Sequence, residues 1–154
     1  MSNSKRILVT GGAGYIGSHT VLSLLEAGHE PVVIDNFSNA SNKSLFRVMA
    51  LAGRSFPWFD CDLLDTAALD DVFKRYTFDY VIHFAGLKSV GESAELPLKY
   101  YLNNVSGTLN LCSCMETYKV KNLVFSSSAT VYGEPISLPI KEDFPTQASN
   151  PYGR

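Results

Sequence analysis

Short apolar runs alternate with longer amphipathic stretches along this chain. The apolar runs are nearly continuous, which is the pattern of strands buried on both faces of a sheet. The five predicted strands are Lys5–Thr10, Pro31–Asp35, Phe56–Asp60, Tyr80–Ala85 and Leu123–Ser127. The third is the weakest of them, because Pro57 has no backbone N–H to donate.

Four helices are predicted between the strands, over Tyr15–Ala27, Asn42–Ala52, Thr66–Arg75 and Pro97 to about Tyr118. Gly28 and Gly53 follow the first two helices, where glycine is favoured just past a helix end. Asp65 is placed to cap the third helix. Apolar residues recur at four-three spacing along the fourth helix and predict one apolar stripe, formed by Leu98, Leu102, Val105, Leu109 and Cys112.

Strands that alternate with helices predict the fold class α/β. The expected architecture is a doubly wound parallel sheet of the dinucleotide-binding (Rossmann) type, with strand order 3-2-1-4-5. The segment after Ser128 is expected to be mostly loop, because four prolines interrupt it: Pro135, Pro139, Pro145 and Pro151.

Composition narrows the possible partners. The chain has 154 residues, the size of one ordinary domain, and its 45% hydrophobic and 18% charged residues favour a packed core over disorder. A formal net charge of −2 gives no basic excess. We therefore expect binding neither to nucleic acid nor to an acidic membrane surface.

The N-terminus and the cysteines indicate a cytoplasmic protein. Residues 1–6 are polar or basic, and the apolar run Ile7–Val9 is too short for a signal peptide or a membrane span. The three cysteines have no CxxC spacing, so we expect no disulfide framework and no zinc site. Cys61, Cys112 and Cys114 are interpreted as small buried hydrophobic residues.

A glycine-rich turn follows the first predicted strand. Gly12, Gly14 and Gly17 form GxGxxG, and Gly11 extends the pattern to GxxGxxG. These glycines allow a sharp turn, a close approach to a pyrophosphate and tight packing of the next helix, whose N-terminus attracts phosphate. Asp35 ends the second strand about 20 residues later, where an acid accepts hydrogen bonds from ribose hydroxyls and repels a 2′-phosphate. We therefore predict NAD rather than NADP as the cofactor.

Other polar residues stand at the predicted carboxyl edge of the sheet. Asp62 follows the third strand, and its position is equally typical of an adenine contact and of a loop or capping aspartate. Ser126–Ser128 place hydroxyls after the fifth strand, and Tyr152 stands near the end of the sequence. A tyrosine accepts a proton from an alcohol only if its pKa falls well below about 10. No lysine follows Tyr152 in this sequence to lower that pKa.

The three histidines do not share a predicted element or a ligand spacing. His83 lies inside an apolar strand, where a hydrogen-bonded core histidine is the favoured interpretation. We predict no metal site.

Three segments carry a resemblance to the extended short-chain dehydrogenase/reductase family. Thr10–Gly17 (TGGAGYIG) is shared with the whole family. Phe84–Ser93 (FAGLKSVGES) and Ser126–Gly133 (SSSATVYG) resemble its branch of sugar-nucleotide 4-epimerases more than its dehydratases and decarboxylases. The resemblance covers essentially all of the chain.

The resemblance implies roles for particular residues. The expected cofactor-binding residues are Gly11, Gly12, Gly14, Tyr15, Ile16, Gly17, Asp35, Asn36, Asn39, Asp62, Leu63, Phe84, Ala85, Lys88 and Asn103. The expected catalytic residues are Ser128, which would bond the reacting sugar hydroxyl, and Tyr152, the base of a Tyr-x-x-x-Lys motif. Without the resemblance, Lys88 is a solvated surface lysine, Asn103 a neutral helix residue and Phe84 a core residue.

The implied activity is an NAD-dependent isomerisation in galactose metabolism. It interconverts UDP-glucose and UDP-galactose through a transient 4-keto sugar. The family resemblance also implies a homodimer in the full-length protein, formed through the long helix. The alternatives are another NAD-dependent dehydratase or decarboxylase of sugar nucleotides, or a truncated nucleotide-binding product without catalysis. Ala129 and Thr130 follow Ser128 and no acid occurs before Glu134, which disfavours the elimination enzymes.

The sequence is expected to be the N-terminal part of such an enzyme. Residues 1–154 would then form an incomplete NAD-binding domain that stops before a sixth strand and a C-terminal substrate domain. We expect this piece alone to be inactive and poorly soluble.

Overall fold

The computed structural model of the protein describes residues 4–154, so residues 1–3 of the polar N-terminal stretch lie outside the described residues. Backbone contacts divide the chain into two compact units. The first runs through Ala85 and includes Gly107–Ser126, and the second comprises Gly86–Ser106 and Ser127–Arg154.

The first unit contains a five-stranded parallel sheet. Its strands are β1 (Arg6–Thr10), β2 (Glu30–Asp35), β3 (Trp58–Asp60), β4 (Tyr80–His83) and β5 (Leu123–Phe125). The strand order is β3-β2-β1-β4-β5, which confirms the predicted doubly wound arrangement.

The helices in chain order are α1 (Tyr15–Glu26), α2 (Lys43–Ala52), α3 (Thr66–Arg75), α4 (Val90–Glu95), α5 (Pro97–Tyr100) and α6 (Gly107–Thr117). A π-helical segment, Tyr101–Ser106, connects α5 to α6, and a 3₁₀ helix spans Ala129–Tyr132. Asp65 caps α3 as predicted, because its side chain accepts a hydrogen bond from the backbone N–H of Ala68 at 3.0 Å.

Two apolar clusters lie on opposite faces of the sheet. On one face Leu8 packs with residues of α3 and α6, including Leu69 and Leu111. On the other face Val9 packs with residues of α1 and α2, including Val21 and Leu45. Neighbouring residues of β1 thus point to opposite faces, as the strand period of two requires, and both faces are covered.

The strand register places the carboxyl ends of three strands next to one another. Thr10 at the end of β1 pairs with Ile34 of β2 on one side and with His83 of β4 on the other. Asp35 follows Ile34 and closes β2. The carboxyl ends of these three central strands therefore lie side by side, where open α/β sheets bind ligands.

Three predicted strands are two residues longer than the observed ones. Strand β3 begins at Trp58 rather than Phe56, after the proline that cannot donate to the sheet. Strand β4 ends at His83 rather than Ala85, and β5 ends at Phe125 rather than Ser127. After both strands the chain enters loops that contain some of the expected site residues.

The long helix is not one uninterrupted α-helix. Its middle turns are π-helical, and π segments occur often at functional sites. The predicted apolar stripe is exposed: Leu98 and Leu102 in the second unit are 69% and 50% exposed, and Leu109 in the first unit is 61% exposed. Tyr100 in the second unit and Leu111 in the first are buried instead.

Helix α4 was not predicted, although its signal is present in the sequence. Ser89 stands three residues before Glu92, the spacing of a capping box. The Ser89 hydroxyl accepts the N–H of Glu92 at 3.3 Å and caps the helix. The tail after Ser128 likewise contains a short 3₁₀ helix that the prolines did not indicate.

The interpretation of all three cysteines as buried was wrong for one of them. Cys61 is buried and Cys114 is half-buried, but Cys112 is exposed on α6. The reason is that Cys112 continues the apolar positions of the long helix that face outward. All three are free thiols.

Two features are absent from residues 4–154. No helix there combines the length and the apolar character needed to cross a membrane. Within the same residues, no group of three or more His, Cys, Asp or Glu side chains is placed to hold a metal ion.

Candidate functional site

The turn after β1 packs directly against the loop after β4. Gly11 has a left-handed φ of +67°, and a Cβ atom at this position would lie 2.6 Å from the backbone nitrogen of Ala85. The N–H of Gly11 also donates to the carbonyl of Ile34 at 2.8 Å. Only glycine satisfies both the backbone angle and the close approach, so the sequence motif has a steric cause here.

The start of α1 is equally tight against the same turn. A Cβ atom on Gly17 would overlap the carbonyl oxygen of Gly11 and lie 2.7 Å from the Cα of Gly12. The first turn of α1 is therefore pressed onto the turn that leads into it. This is the glycine-dependent packing that dinucleotide-binding turns require.

The N-terminus of α1 has no side-chain cap. Its N-cap residue is Gly14, and the first turn contains no acidic residue. Tyr15 and Ile16 are exposed. The N–H groups and the positive dipole end of this helix are thus available to an anionic group, as phosphate binding requires.

Asp35 is built into the glycine turn. It is buried, its Oδ2 accepts the N–H of Ala13 at 3.0 Å, and its Oδ1 accepts the N–H of Phe37 at 2.9 Å. Each carboxylate oxygen keeps a further lone pair for another donor. The residue that we expected to accept ribose hydroxyls therefore also holds the turn in shape.

Ser44 is a contributor that the sequence did not reveal. Its hydroxyl donates to the carbonyl of Ala13 at 2.7 Å. The peptide groups flanking Ala13 are therefore held from β2 by Asp35 and from α2 by Ser44. These features fit a bound dinucleotide: glycines where a Cβ would collide, an uncapped helix start and a fixed carboxylate beside it.

The ends of β2 and β3 are joined by a side-chain hydrogen bond. Asn36 donates to Oδ2 of Asp62 at 2.8 Å, and Oδ1 of Asp62 accepts the N–H of Leu64 at 2.8 Å. Leu63 is half-buried, and its carbonyl accepts the side chain of Asn110 at 2.9 Å. Asn39 lies nearby in sequence but is exposed and belongs to none of these contacts.

A buried histidine on β4 connects the end of β1 to helix α6. His83 is 2% exposed, and its ring nitrogens lie 2.5 Å from the Thr10 hydroxyl and 2.9 Å from the Thr108 hydroxyl. Thr10 also accepts the N–H of Ala85 at 3.3 Å, while the N–H of Phe84 bonds the Thr10 carbonyl at 3.0 Å. The prediction of a hydrogen-bonded core histidine is confirmed, and the two threonines are residues that the sequence analysis missed.

In the second unit, Ser128 lies at the start of the 3₁₀ helix. Its hydroxyl accepts the N–H of Thr130 at 3.2 Å and lies 2.8 Å from the Thr130 hydroxyl. A Cβ atom on Gly153 would lie 2.7 Å from the carbonyl oxygen of Thr130. The segment that holds Ser128 and the segment that holds Tyr152 therefore approach each other closely.

Tyr152 is held from helices α4 and α5. Its backbone N–H donates to the hydroxyl of Ser93 at 3.3 Å, and its ring meets the ring of Tyr100 edge-on, with centroids 6.4 Å apart. Ser93 is completely buried and Tyr100 is 1% exposed. Neither residue was singled out in the sequence, because both contacts join positions far apart along the chain.

The remaining expected site residues of the second unit differ in their surroundings. Lys88 is exposed in the loop before α4. Asn103 lies in the π-helical segment and donates to Asn104 at 2.8 Å. Asn104, which the sequence analysis passed over, binds both backbone groups of Leu87, at 2.8 and 2.9 Å. The side chain of Asn104 therefore fixes the loop that leads to Lys88.

Residues 7–154 match the sequence model of a protein family described as the NAD dependent epimerase/dehydratase family. The chain belongs to this family. Among its members, the UDP-glucose 4-epimerase of Bacillus subtilis is 59% identical over 96% of this chain and 44% of its own length. The UDP-glucose 4-epimerase of Homo sapiens is 58% identical over 98% of this chain and 45% of its own length.

A solved structure agrees with these matches. The UDP-glucose 4-epimerase of Bifidobacterium longum, crystallised in complex with NAD+ and UDP, is 48% identical and superimposes with a TM-score of 0.93. The alignment covers 96% of this chain and 44% of that one. The fold and the epimerase branch expected from the sequence are confirmed. The chain spans less than half the length of the relatives it matches.

Proposed function

We propose that this chain is the cofactor-binding part of a UDP-glucose 4-epimerase and that residues 1–154 act as its NAD-binding domain. The observation that carries the proposal is the glycine turn, where Gly11 and Gly17 admit no Cβ and Asp35 holds the Ala13 peptide beside an uncapped helix start. The 59% identity to an epimerase supports the same conclusion.

NAD is favoured over NADP by the charge at the end of β2. The Asp35 carboxylate is the acidic side chain of the turn, and its unused lone pairs are suited to ribose hydroxyls. A 2′-phosphate would meet the same negative charge. We propose that Asn36 and Asn39 contact the adenosine ribose and phosphates, and that Asp62 and Leu63 lie beside the adenine.

Four further residues are proposed to line the cofactor site. Phe84 and Ala85 follow β4, and their N–H groups are fixed by Thr10. Lys88 is proposed to approach the nicotinamide ribose and phosphates, and Asn103 to contact the cofactor from the long helix. Lys88 has the exposed ammonium group that a phosphate contact needs.

The chemistry that bound NAD supplies is reversible acceptance of a hydride from carbon 4 of the sugar. Tyr152 is proposed to remove the proton of the 4-hydroxyl and later to return it. Ser128 is proposed to orient that hydroxyl and to share its proton. The net result is interconversion of UDP-glucose and UDP-galactose without net consumption of the cofactor.

The decisive experiment measures turnover of UDP-galactose. The protein is expressed from its gene with any residues encoded after Arg154, and UDP-glucose is detected with and without the substitution Tyr152→Phe. We expect conversion by the unaltered protein and a loss of at least about a hundredfold in the variant. Release of a dehydrated or decarboxylated sugar would instead identify another activity of the family.

A parallel experiment tests the chain of 154 residues by itself. We propose that it binds NAD but does not turn over UDP-galactose, because it covers under half of an epimerase. Calorimetry measures NAD binding, and the same assay measures turnover of UDP-galactose. Turnover by residues 1–154 would contradict the expected inactivity, and absence of NAD binding would contradict the expected affinity for the cofactor.

We further propose that the full-length protein is a cytoplasmic homodimer. The exposed apolar side chains of the long helix, such as Leu98 and Leu102, support an interface there. The free thiols of all three cysteines support a reducing compartment. Sedimentation of the full-length protein tests the dimer, and a monomer at micromolar concentration would refute it.

A further inference from the structure

Tyr100 is a buried tyrosine with both hydrogen-bonding roles of its hydroxyl satisfied. The hydroxyl donates to Oε2 of Glu92 at 2.8 Å and accepts the N–H of Ser89 at 3.0 Å. The ring itself is 1% exposed. A hydroxyl that is fixed at both ends and a ring that is fully packed leave the side chain no alternative rotamer without breaking these bonds.

The partner of that hydroxyl is anchored in turn. Oε1 of Glu92 binds the ammonium of Lys99 at 2.7 Å. The hydrogen bonds from Lys99 and then Tyr100 lower the pKa of Glu92, so the carboxylate is ionised at neutral pH. Ser89, which caps α4 on Glu92, donates its own N–H to Tyr100. Hydrogen bonds to the Tyr100 hydroxyl and to Glu92 therefore hold helices α4 and α5 together.

Helices α4 and α5 contact Tyr152 at two points. The ring of Tyr100 meets the ring of Tyr152 at an interplanar angle of 71°. The buried hydroxyl of Ser93 accepts the N–H of Tyr152 while donating to the carbonyl of Val90 at 2.7 Å. One contact fixes the backbone of Tyr152 and the other limits the direction of its ring.

We propose that Tyr100 is a positioning residue for Tyr152, and that the Glu92–Tyr100 hydrogen bond sets the direction in which the Tyr152 phenol points. The inference rests on the proposed function, in which Tyr152 is the base. A general base must lie within hydrogen-bond reach of the proton it removes. A displacement of about 1 Å in such a group costs up to about a hundredfold in rate.

The test uses the full-length protein loaded with NAD and three variants. Tyr100→Phe keeps the ring but removes the hydroxyl bonds, and Tyr100→Leu removes the ring contact as well. Tyr101→Phe is the matched control. Tyr101 is the next residue in the chain, is 39% exposed and takes no part in the hydrogen bonds that join Glu92, Ser89 and Lys99 to one another and to Tyr100. Circular dichroism, NAD content and thermal melting give the folded, loaded fraction of each variant.

The expected result is a fall in kcat per folded, NAD-loaded molecule while KM for UDP-galactose stays within about twofold. We expect a loss of about threefold to tenfold for Tyr100→Phe and about thirtyfold to a hundredfold for Tyr100→Leu, since the second releases the ring entirely. Tyr101→Phe should retain the activity of the unaltered protein. A loss that only follows the folded fraction, or an unchanged kcat in folded Tyr100→Leu, would overturn the proposal.

A second measurement distinguishes failure of this inference from failure of the proposed function. The ring-proton resonances of Tyr152, assigned by comparison with Tyr152→Phe, report the Tyr100 contact without any turnover. If the unaltered protein does not convert UDP-galactose, the proposed function fails, and the positioning role in catalysis fails with it. If it does convert the substrate but the Tyr152 resonances do not move in Tyr100→Leu, only the positioning role is wrong.

Discussion

Oδ2 of Asp35 accepts a hydrogen bond of 3.0 Å from the backbone N–H of Ala13. The acidic residue at the end of β2 thus organises the glycine turn at the end of β1. Its effect on a cofactor is therefore exerted in two ways: through its own lone pairs and through the shape of the turn. Substitutions at Asp35 are expected to disturb both.

The substitution Asp35→Asn tests this dual role. An asparagine presents an NH₂ group to one of the two backbone N–H donors that Asp35 now accepts, so one hydrogen bond is replaced by a donor–donor contact. We expect NAD affinity to fall by at least about tenfold, or roughly 1.4 kcal/mol. Titration calorimetry measures the change. The control is Asp71→Asn on the exposed side of α3, and equal affinities in both variants would contradict the prediction.

The substitution Gly17→Ala tests the packing of α1 on the turn. The added methyl group would meet backbone atoms of Gly11 and Gly12, which cannot move aside as a side chain does. We expect loss of NAD binding together with a lower melting temperature. Gly91→Ala is the control, since a Cβ there meets nothing within 4 Å in helix α4. A Gly17→Ala protein that binds NAD normally would show that the turn tolerates a methyl group.

The substitution His83→Leu tests the link that β4 makes to the end of β1 and to α6. It removes the ring partner of the Thr10 and Thr108 hydroxyls inside the core. We expect the free energy of unfolding to fall by about 1–3 kcal/mol, the usual cost of a buried polar group that loses its partner. Urea unfolding gives this value, and His19→Gln on the exposed face of α1 serves as the comparison. A change below about 0.5 kcal/mol would argue against a structural role for the ring.

Thiol labelling tests the three cysteine environments. Burial, followed by the negative charges of Asp65, Asp62 and Asp60, raises the pKa of Cys61 to about 11, so little thiolate exists at pH 8. We expect iodoacetamide to modify Cys112 first, Cys114 more slowly and Cys61 only after unfolding. Mass spectrometry of digested samples gives the order. In the full-length protein, protection of Cys112 would support the proposed dimer, whereas unchanged labelling there would count against it.

Acid sensitivity tests the ion pair at the amino end of the sheet. The backbone N–H of Arg6 and then the Lys5 ammonium lower the pKa of Asp79 in the folded protein. Asp79 therefore contributes stability above its unfolded pKa of about 3.9, and this is lost as the pH falls below about 4.

We expect Asp79→Asn to be less stable than the unaltered protein at pH 7, and we expect the difference to shrink progressively as the pH falls below about 4. Urea unfolding at several pH values measures the difference, with exposed Asp143→Asn as the control. A difference that does not shrink toward pH 3 would contradict this assignment.

The sheet and the glycine turn were predictable because their signals are local. The apolar runs fixed the central strands, and the spacing from Gly11 to Asp35 located the turn within one stretch of chain. The Ser89–Glu92 capping signal was also local, and α4 was missed only because it is short. The four-three spacing of the long helix located an apolar stripe but did not reveal that Tyr100 and Leu111 are buried while Leu98 and Leu109 are exposed.

The contacts around Tyr152 were not predictable from such signals. Ser93 and Tyr152 are 59 positions apart, and nothing in either local sequence indicates that a hydroxyl will accept that N–H. The same is true of Thr10 and His83, which meet only because β1 and β4 pair in the sheet. Side chains that hold other side chains in place are determined by tertiary packing, so they become visible only in the folded structure.

Strand β5 carries a consequence for how this protein is made. Leu123, Val124 and Phe125 are 37%, 57% and 56% exposed, and β5 pairs with β4 alone among the described strands. While these residues are uncovered during synthesis, they form an exposed apolar strand edge to which other chains can bind. We therefore expect chains in which this strand is covered sooner to aggregate less during synthesis.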